Sequence, residues 1–220
     1  MRNEIPETIS KKIIKSVNNL PYFSIKNLKI IDNIDEKYLR INLSRLSKRD
    51  YLIKLKRGIY VSKNFISNIK AKNLFSPYLE FISEKIYEPS YLSLDYILSE
   101  NEILTEMPKN FTLISTNKTK ILTNDFGNFI YHKIKDKLFI GFKTEKIDNF
   151  FILKATKAKA LFDFLYLRKN LITDKTYIKE LRLNLENFNK KDKLELNKYI
   201  EIEGSKKMKN IYNLLLCLKK

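Results

Sequence analysis

At 220 residues, 44% of them hydrophobic, the chain is long enough to fill one large core or two small ones. Its formal net charge of +18 points to a polyanionic partner, with nucleic acid and an anionic membrane surface as the leading classes. One cysteine, Cys217, excludes an internal disulfide framework or a cysteine-rich zinc site, no apolar run approaches the ~18 residues of a membrane span, and the polar start from Met1 to Lys12 lacks a secretory apolar core, so the reducing cytoplasm is the expected compartment.

Lys, Ile and Asn are abundant throughout, as an AT-rich genome makes them whatever the function, so the distribution of charge matters more than its total. Residues 1–65 hold fifteen Lys or Arg against six Asp or Glu, a net of +9, which is half of the whole excess. Within them, Lys37 to Arg57 carries eight basic residues against Asp50 alone. A membrane-surface role would need a basic amphipathic helix with large exposed apolar residues, whereas this basic run leads into a strand pattern, so no membrane partner is expected.

In chain order, Ile5, Ile9, Ile13, Ile14 and Val17 recur at helical spacing, and Leu20-Pro21 closes that helix. Ser24 reads as the N-cap of a short second helix carrying Ile25, Leu28 and Ile31, which breaks at Asp32-Asn33. Asp35 and Glu36 then favour a new helix N-terminus, and Leu39, Leu43 and Leu46 mark one face of a third helix running to about Arg49. After Asp50 the period changes to two. Tyr51 to Leu55 and Ile59 to Val61 are strand-like, joined by a tight turn at Lys56-Arg57-Gly58. Three helices followed by a hairpin predict a winged helix-turn-helix over residues 1–65.

Residues 64–90 read as helical and linking, and a C-terminal domain is expected over 66–220. Glu88-Pro89-Ser90 predicts a helix through Tyr91 to Ser99. Phe111 to Thr116, Ile121 to Thr123, Phe129 to Ile134, Leu138 to Phe142 and Phe150 to Leu153 are strand-like, with Gly127 and Gly141 marking bends. Ala155 to Arg168 is apolar around most of its circumference and predicts a buried helix. Two or three helices finish the chain, the last with Met208, Ile211, Tyr212, Leu215 and Leu218 on one face. The fold class expected is therefore α+β: the winged domain, then a mixed α/β domain ending in helices.

Turning the third helix at about 100° per residue brings Leu39, Leu43 and Leu46 inward and turns Arg40, Ile41, Ser44, Arg45 and Lys48 outward. In a DNA major groove such a face offers guanidinium groups to guanine edges or phosphates, a hydroxyl to either, and an apolar contact to a thymine methyl. Lys54, Lys56 and Arg57 on or beside the hairpin are placed to neutralise phosphates or enter the minor groove. The same charges also protect an edge hairpin from aggregation.

No catalytic constellation is visible. His132 is the only histidine and has no cysteine or second histidine to build a zinc site, so no metal is expected. No nucleophile-elbow glycine pattern accompanies it, and four glycines supply no phosphate-cradling loop. Neither catalytic residues nor a cofactor are expected, and the chain does not read as an enzyme.

Leu43-Ser44-Arg45-Leu46 followed by Tyr51-Leu52-Ile53-Lys54-Leu55-Lys56-Arg57-Gly58-Ile59-Tyr60-Val61 resembles the N-terminal domain of AbiEi-family antitoxins of type IV toxin-antitoxin systems. The resemblance continues through Glu88 to Leu94, Gly127 to His132 and Ala155 to Asp163, covering roughly residues 24–167. One departure stands out: where the family tends to have Pro-Glu-Lys-Ala-Leu, this chain has Lys157-Ala158-Lys159-Ala160-Leu161, so any role of that glutamate is absent. The resemblance implies an N-terminal domain that binds repeats in its own promoter as double-stranded operator DNA and represses it. It also implies a C-terminal domain that counteracts a nucleotidyltransferase-like toxin, with or without binding it, through a surface the sequence does not identify. The chain is itself unlike such a toxin, because its Gly204-Ser205 is followed by no aspartate. Two other readings stay open at this level: a plain winged-helix regulator with no toxin, and an RNA-binding or RNA-processing protein whose 13 Tyr and 14 Phe stack on unpaired bases.

Overall fold

The computed structural model describes residues 9–32 and 35–217, with the side chains of 30–32 set aside. Ile5, Asn33 and Leu218, and the Ile31 side chain, lie outside the described residues. The chain is an α+β protein that divides into two compact units: one comprises the residues up to Ile82 together with Thr123–Phe126, the other Ser83–Leu122 and the residues from Gly127 onward.

The first unit begins with α1 (Ile9–Val17), a two-residue strand β1 (Phe23–Ser24), α2 (Ile25–Asp32) and α3 (Glu36–Lys48). The hairpin of β2 (Leu52–Lys56) and β3 (Ile59–Ser62) follows, then α4 (Lys63–Ala71) and α5 (Phe75–Lys85), the last of which runs across the division between units. Apolar spacing builds the core directly. Ile13 and Val17 of α1, Leu28 of α2, Leu39, Leu43 and Leu46 of α3, and Leu52 of β2 are buried together with Phe23 and Ile25. Each such leucine contributes roughly 1.5–3 kcal/mol on burial. The three strands pair in the order β1-β3-β2, all antiparallel, with Phe23 opposite Tyr60 and Ser24 opposite Ile59. Ser24 does two jobs, since its Oγ also accepts from Asn27 N at 3.2 Å and so caps α2. The unit continues past residue 65, where the sequence places the boundary, because Ile66, Ile69, Tyr78, Phe81 and Ile82 are buried and Tyr78 Oη donates to Pro21 O at 2.9 Å.

The second unit is built on a six-stranded mixed sheet. Its strands are β4 (Ser90–Leu92), β5 (Phe111–Ser115), β6 (Lys120–Asn124, whose last two residues belong to the first unit), β7 (Gly127–Lys133), β8 (Phe142–Ile147) and β9 (Phe150–Ala155), in the spatial order β6-β7-β5-β4-β9-β8. β4 and β9 run parallel, as do β5 and β7. Two expected elements are corrected. Residues 90–92 are a central strand and not the start of a helix, which begins later as α6 (Leu94–Glu100); Leu138 to Phe142 is not a strand but a 3-10 turn at Asp136–Leu138 leading into β8. The helices are α7 (Lys157–Arg168), α8 (Lys175–Glu180), α9 (Lys190–Glu203) and α10 (Lys206–Leu216). Every residue of α7 from Ala158 to Leu165 is buried. α9 and α10 pack against each other, and Leu196, Tyr199 and Ile200 on one and Met208, Ile211 and Leu215 on the other are buried. Among the described residues no helix is long and apolar enough to cross a membrane.

Candidate nucleic-acid interface

α3 is held at both ends by local chemistry. Asp35 caps its start, accepting from Lys37 N at 2.9 Å. At its end, Asp50 N donates to Ser47 O at 3.1 Å and Tyr51 N to Leu46 O at 3.0 Å, with Asp50 in the left-handed region at φ 65°. That pair of bonds is a Schellman stop, and it turns the chain straight into β2. The helix is thus fixed in length and phase, with Leu39, Leu43 and Leu46 buried and its other face in solvent.

All five outward positions expected on α3, Arg40, Ile41, Ser44, Arg45 and Lys48, are exposed. Their chemistry differs. Arg40 is engaged by Glu36 one turn earlier, its Nε and Nη2 lying 3.1 and 2.5 Å from Glu36 Oε1. Arg45 and Lys48 make no ion pair or hydrogen bond through their side chains with any described residue. Asn42, a residue type that reads adenine, faces α1 instead: it accepts from Ser10 Oγ at 3.0 Å and donates to Tyr38 O at 2.9 Å. Two outward positions fell outside the expected set. Lys37 and Tyr38 are both exposed, and continuing the same turn backward from Leu39 reaches them.

In the hairpin, Lys54 is exposed on β2 and Arg57 is exposed in the turn, while Lys56 is half-buried at the end of β2. Gly58 at φ 82° makes the two-residue turn possible, because a side chain is strained there. The register shifts between Lys54 and Lys56, so Leu55 is an extra residue whose side chain is buried and whose carbonyl accepts from Asn124 Nδ2 at 2.9 Å. Gly58 O accepts from Ile25 N at 3.3 Å, tying the turn to the start of α2. The eight expected residues therefore all belong to one unit, seven exposed and Lys56 half-buried.

A scan of the chain against protein-family models finds no match, and a search of curated proteins finds none.

The second unit holds two polar groupings of a different kind. His132 on β7 is half-buried beside a cavity of about 660 Å³ that Asp95, Thr112, Ile130 and Arg182 help to line. Burial pushes its imidazole below the ordinary value, Arg168 adds to the effect, and Asp95 opposes it. The imidazole forms no hydrogen bond with a described residue. Among the described residues no three His, Cys, Asp or Glu side chains are grouped to hold a metal ion.

Inside α7, Lys159 Nζ bonds Asp163 Oδ1, and Asp163 Oδ2 accepts from Tyr91 Oη at 3.0 Å and Ser93 Oγ at 2.8 Å. Phe162, Tyr199 and Tyr91 present ring faces to the ammonium at 4.7, 5.5 and 5.8 Å. Burial lowers the Lys159 pKa and raises that of Asp163, each against the pull of the other charge. Both side chains are sealed from solvent, so the pair is structural. Gly141 is required beside it, since a Cβ there would lie 2.6 Å from Tyr199 Cζ and its φ is 80°. Ala158, where the resembled family has glutamate, is fully buried.

Proposed function

We propose that the first unit is a winged helix-turn-helix that binds double-stranded operator DNA, with α3 as the recognition helix and the β2–β3 hairpin as the wing. The order helix, strand, helix, helix, hairpin supports this reading, as does the sheet order β1-β3-β2, which seats the hairpin against the strand leading into α2. The observation that carries it is the outward face of α3, where Arg45 and Lys48 have no ion-pair partner among the described residues, in the same unit as exposed Lys54 and Arg57. Cations held this way release counterions from a duplex on contact, and the groove-sized helix beside them reaches base edges. Duplex is favoured over unpaired RNA because, among the described residues, only Tyr38, Tyr51 and Phe151 are exposed aromatics, too few and too scattered for a stacking platform.

On the resemblance to AbiEi antitoxins, the chain is proposed to repress its own operon at repeated sites and to counteract a nucleotidyltransferase-like toxin through the second unit. The test is a gel-shift competition at fixed salt between the duplex upstream of its own gene, random duplex and single-stranded RNA. The upstream duplex is expected to bind at least ~10³-fold more tightly than random duplex. Equal affinity for all three rejects the reading.

A further inference from the structure

We infer that α3 reads thymine through its 5-methyl group, using Tyr38 and Ile41, so that the preferred duplex presents neighbouring thymines in the major groove; this rests on the DNA-binding reading of α3. Tyr38, Ile41, Arg45 and Lys48 follow one another at steps of three, four and three residues, which places them on a single line along the helix. The N-terminal half of that line is apolar and open: Tyr38 is 60% exposed and Ile41 41%. The C-terminal half is cationic. Isolated exposed apolar residues are ordinary, but here two adjoin on one line with unpaired cations, at the end of the helix that contacts base edges when a recognition helix docks.

Of the other side chains near that end, Lys37 is an exposed cation suited to a phosphate, and the rest that could read a base edge are engaged. Asn42 holds Ser10 and the Tyr38 carbonyl, and Arg40 is drawn back onto Glu36. Beyond the Lys37 cation, what α3 offers there is a phenol ring and a branched alkyl group, and the one apolar group that a base pair displays in the major groove is the thymine methyl. Arg45 and Lys48, further along, fall to phosphates or to a guanine edge.

The experiment uses the full chain. Duplexes are enriched from a random-sequence pool, the tightest is remade with deoxyuridine at every thymidine position, and both are titrated at one salt concentration. Uracil keeps the pairing and the phosphate charge and removes only the methyl. Wild type is expected to lose roughly fourfold in affinity for each methyl it contacts. Ile41→Ala with Tyr38→Ala should bind the two duplexes about equally, while Lys48→Ala should weaken both and keep the wild-type ratio. Both positions are exposed, and circular dichroism checks that the variants fold. Equal binding of thymine and uracil duplexes by wild type overturns the inference and leaves DNA binding standing, as does a ratio that survives in the Tyr38/Ile41 variant. If no duplex is enriched, the DNA reading falls with it.

Discussion

α3 and α7 are helices of nearly equal length, 13 and 12 residues, and each carries lysines, yet they use them in opposite ways. On α3 the cations ring a solvated face and, among the described residues, meet one partner, Glu36. On α7, Lys159 lies in the core of its unit, clasped by Asp163 and faced by three aromatic rings. The contrast teaches that +18 is not one property. A cation in water retains its field and can act on a distant polyanion, whereas a buried cation is neutralised within its own fold and acts only on stability. The charge relevant to a partner is the part of the total that the fold leaves unpaired.

The sharpest break between the two comes from deleting the buried cation. Lys159→Met leaves Asp163 buried without its countercharge, so urea denaturation should show a loss of about 3–5 kcal/mol. Adding Asp163→Asn, which still accepts from Tyr91 and Ser93, should recover most of it. A double variant as unstable as the single one would mean that packing, not the ion pair, sets the cost.

Removing cations from the other helix should do the reverse. The variant Arg40→Ala, Arg45→Ala, Lys48→Ala should unfold within about 0.5 kcal/mol per site of wild type, as surface substitutions do, while losing its preference for the operator. With the toxin expressed from a foreign promoter, which removes repression as a route to rescue, this variant should still protect cells. A folded triple variant that fails to protect would show that DNA binding and toxin neutralisation are not divided between the units as proposed.

A smaller effect belongs to His132. Burial holds its folded pKa below the ordinary 6.5, so the native state takes up protons less readily than the unfolded chain. Stability from this group is complete above about pH 6.5 and is lost as pH falls through the lower folded value. His132→Gln should therefore flatten the acid side of the stability profile, read by denaturant titrations at pH 7 and pH 5. An unchanged slope would assign that pH dependence to other groups.

The elements nearest the proposed interface were the most legible, for a physical reason. α3 and the hairpin are each solvated on one side, so their apolar residues recur at 3.6 and at 2 and the change of period at Asp50 is visible. Where a segment is buried on both faces or exposed on both, the period vanishes. Ser90, Tyr91 and Leu92 are all buried, so β4 shows no alternation and its neighbours read as helix. β8, on the sheet edge, runs through exposed Lys143, Thr144, Glu145 and Lys146 and offers no apolar stripe. β1 is two residues long and exists only because β3 is there to pair with it. Leu94 takes φ 59° at the start of α6, a conformation that a leucine does not advertise. At the interface, Tyr38 stands outside the face that charge marks out, because an outward aromatic adds nothing to a cationic pattern. The apolar helix predicted over Ala155 to Arg168 foreshadows the burial of Lys159, but its pairing with Asp163 has no signal, since Lys and Asp four residues apart look the same on a surface.

On the proposed function, placement on α3 and not total charge determines binding to duplex DNA. The most direct measurement compares two full-length variants that each remove two exposed cations: Arg45→Ala with Lys48→Ala on α3, and Lys135→Ala with Lys143→Ala in the second unit. Each is titrated at one salt concentration against the duplex that wild type binds most tightly. The α3 variant should lose at least about tenfold in affinity, as follows when a base or phosphate contact worth ~1–3 kcal/mol is removed, and the other should change within about twofold. Equal losses from both variants would contradict it.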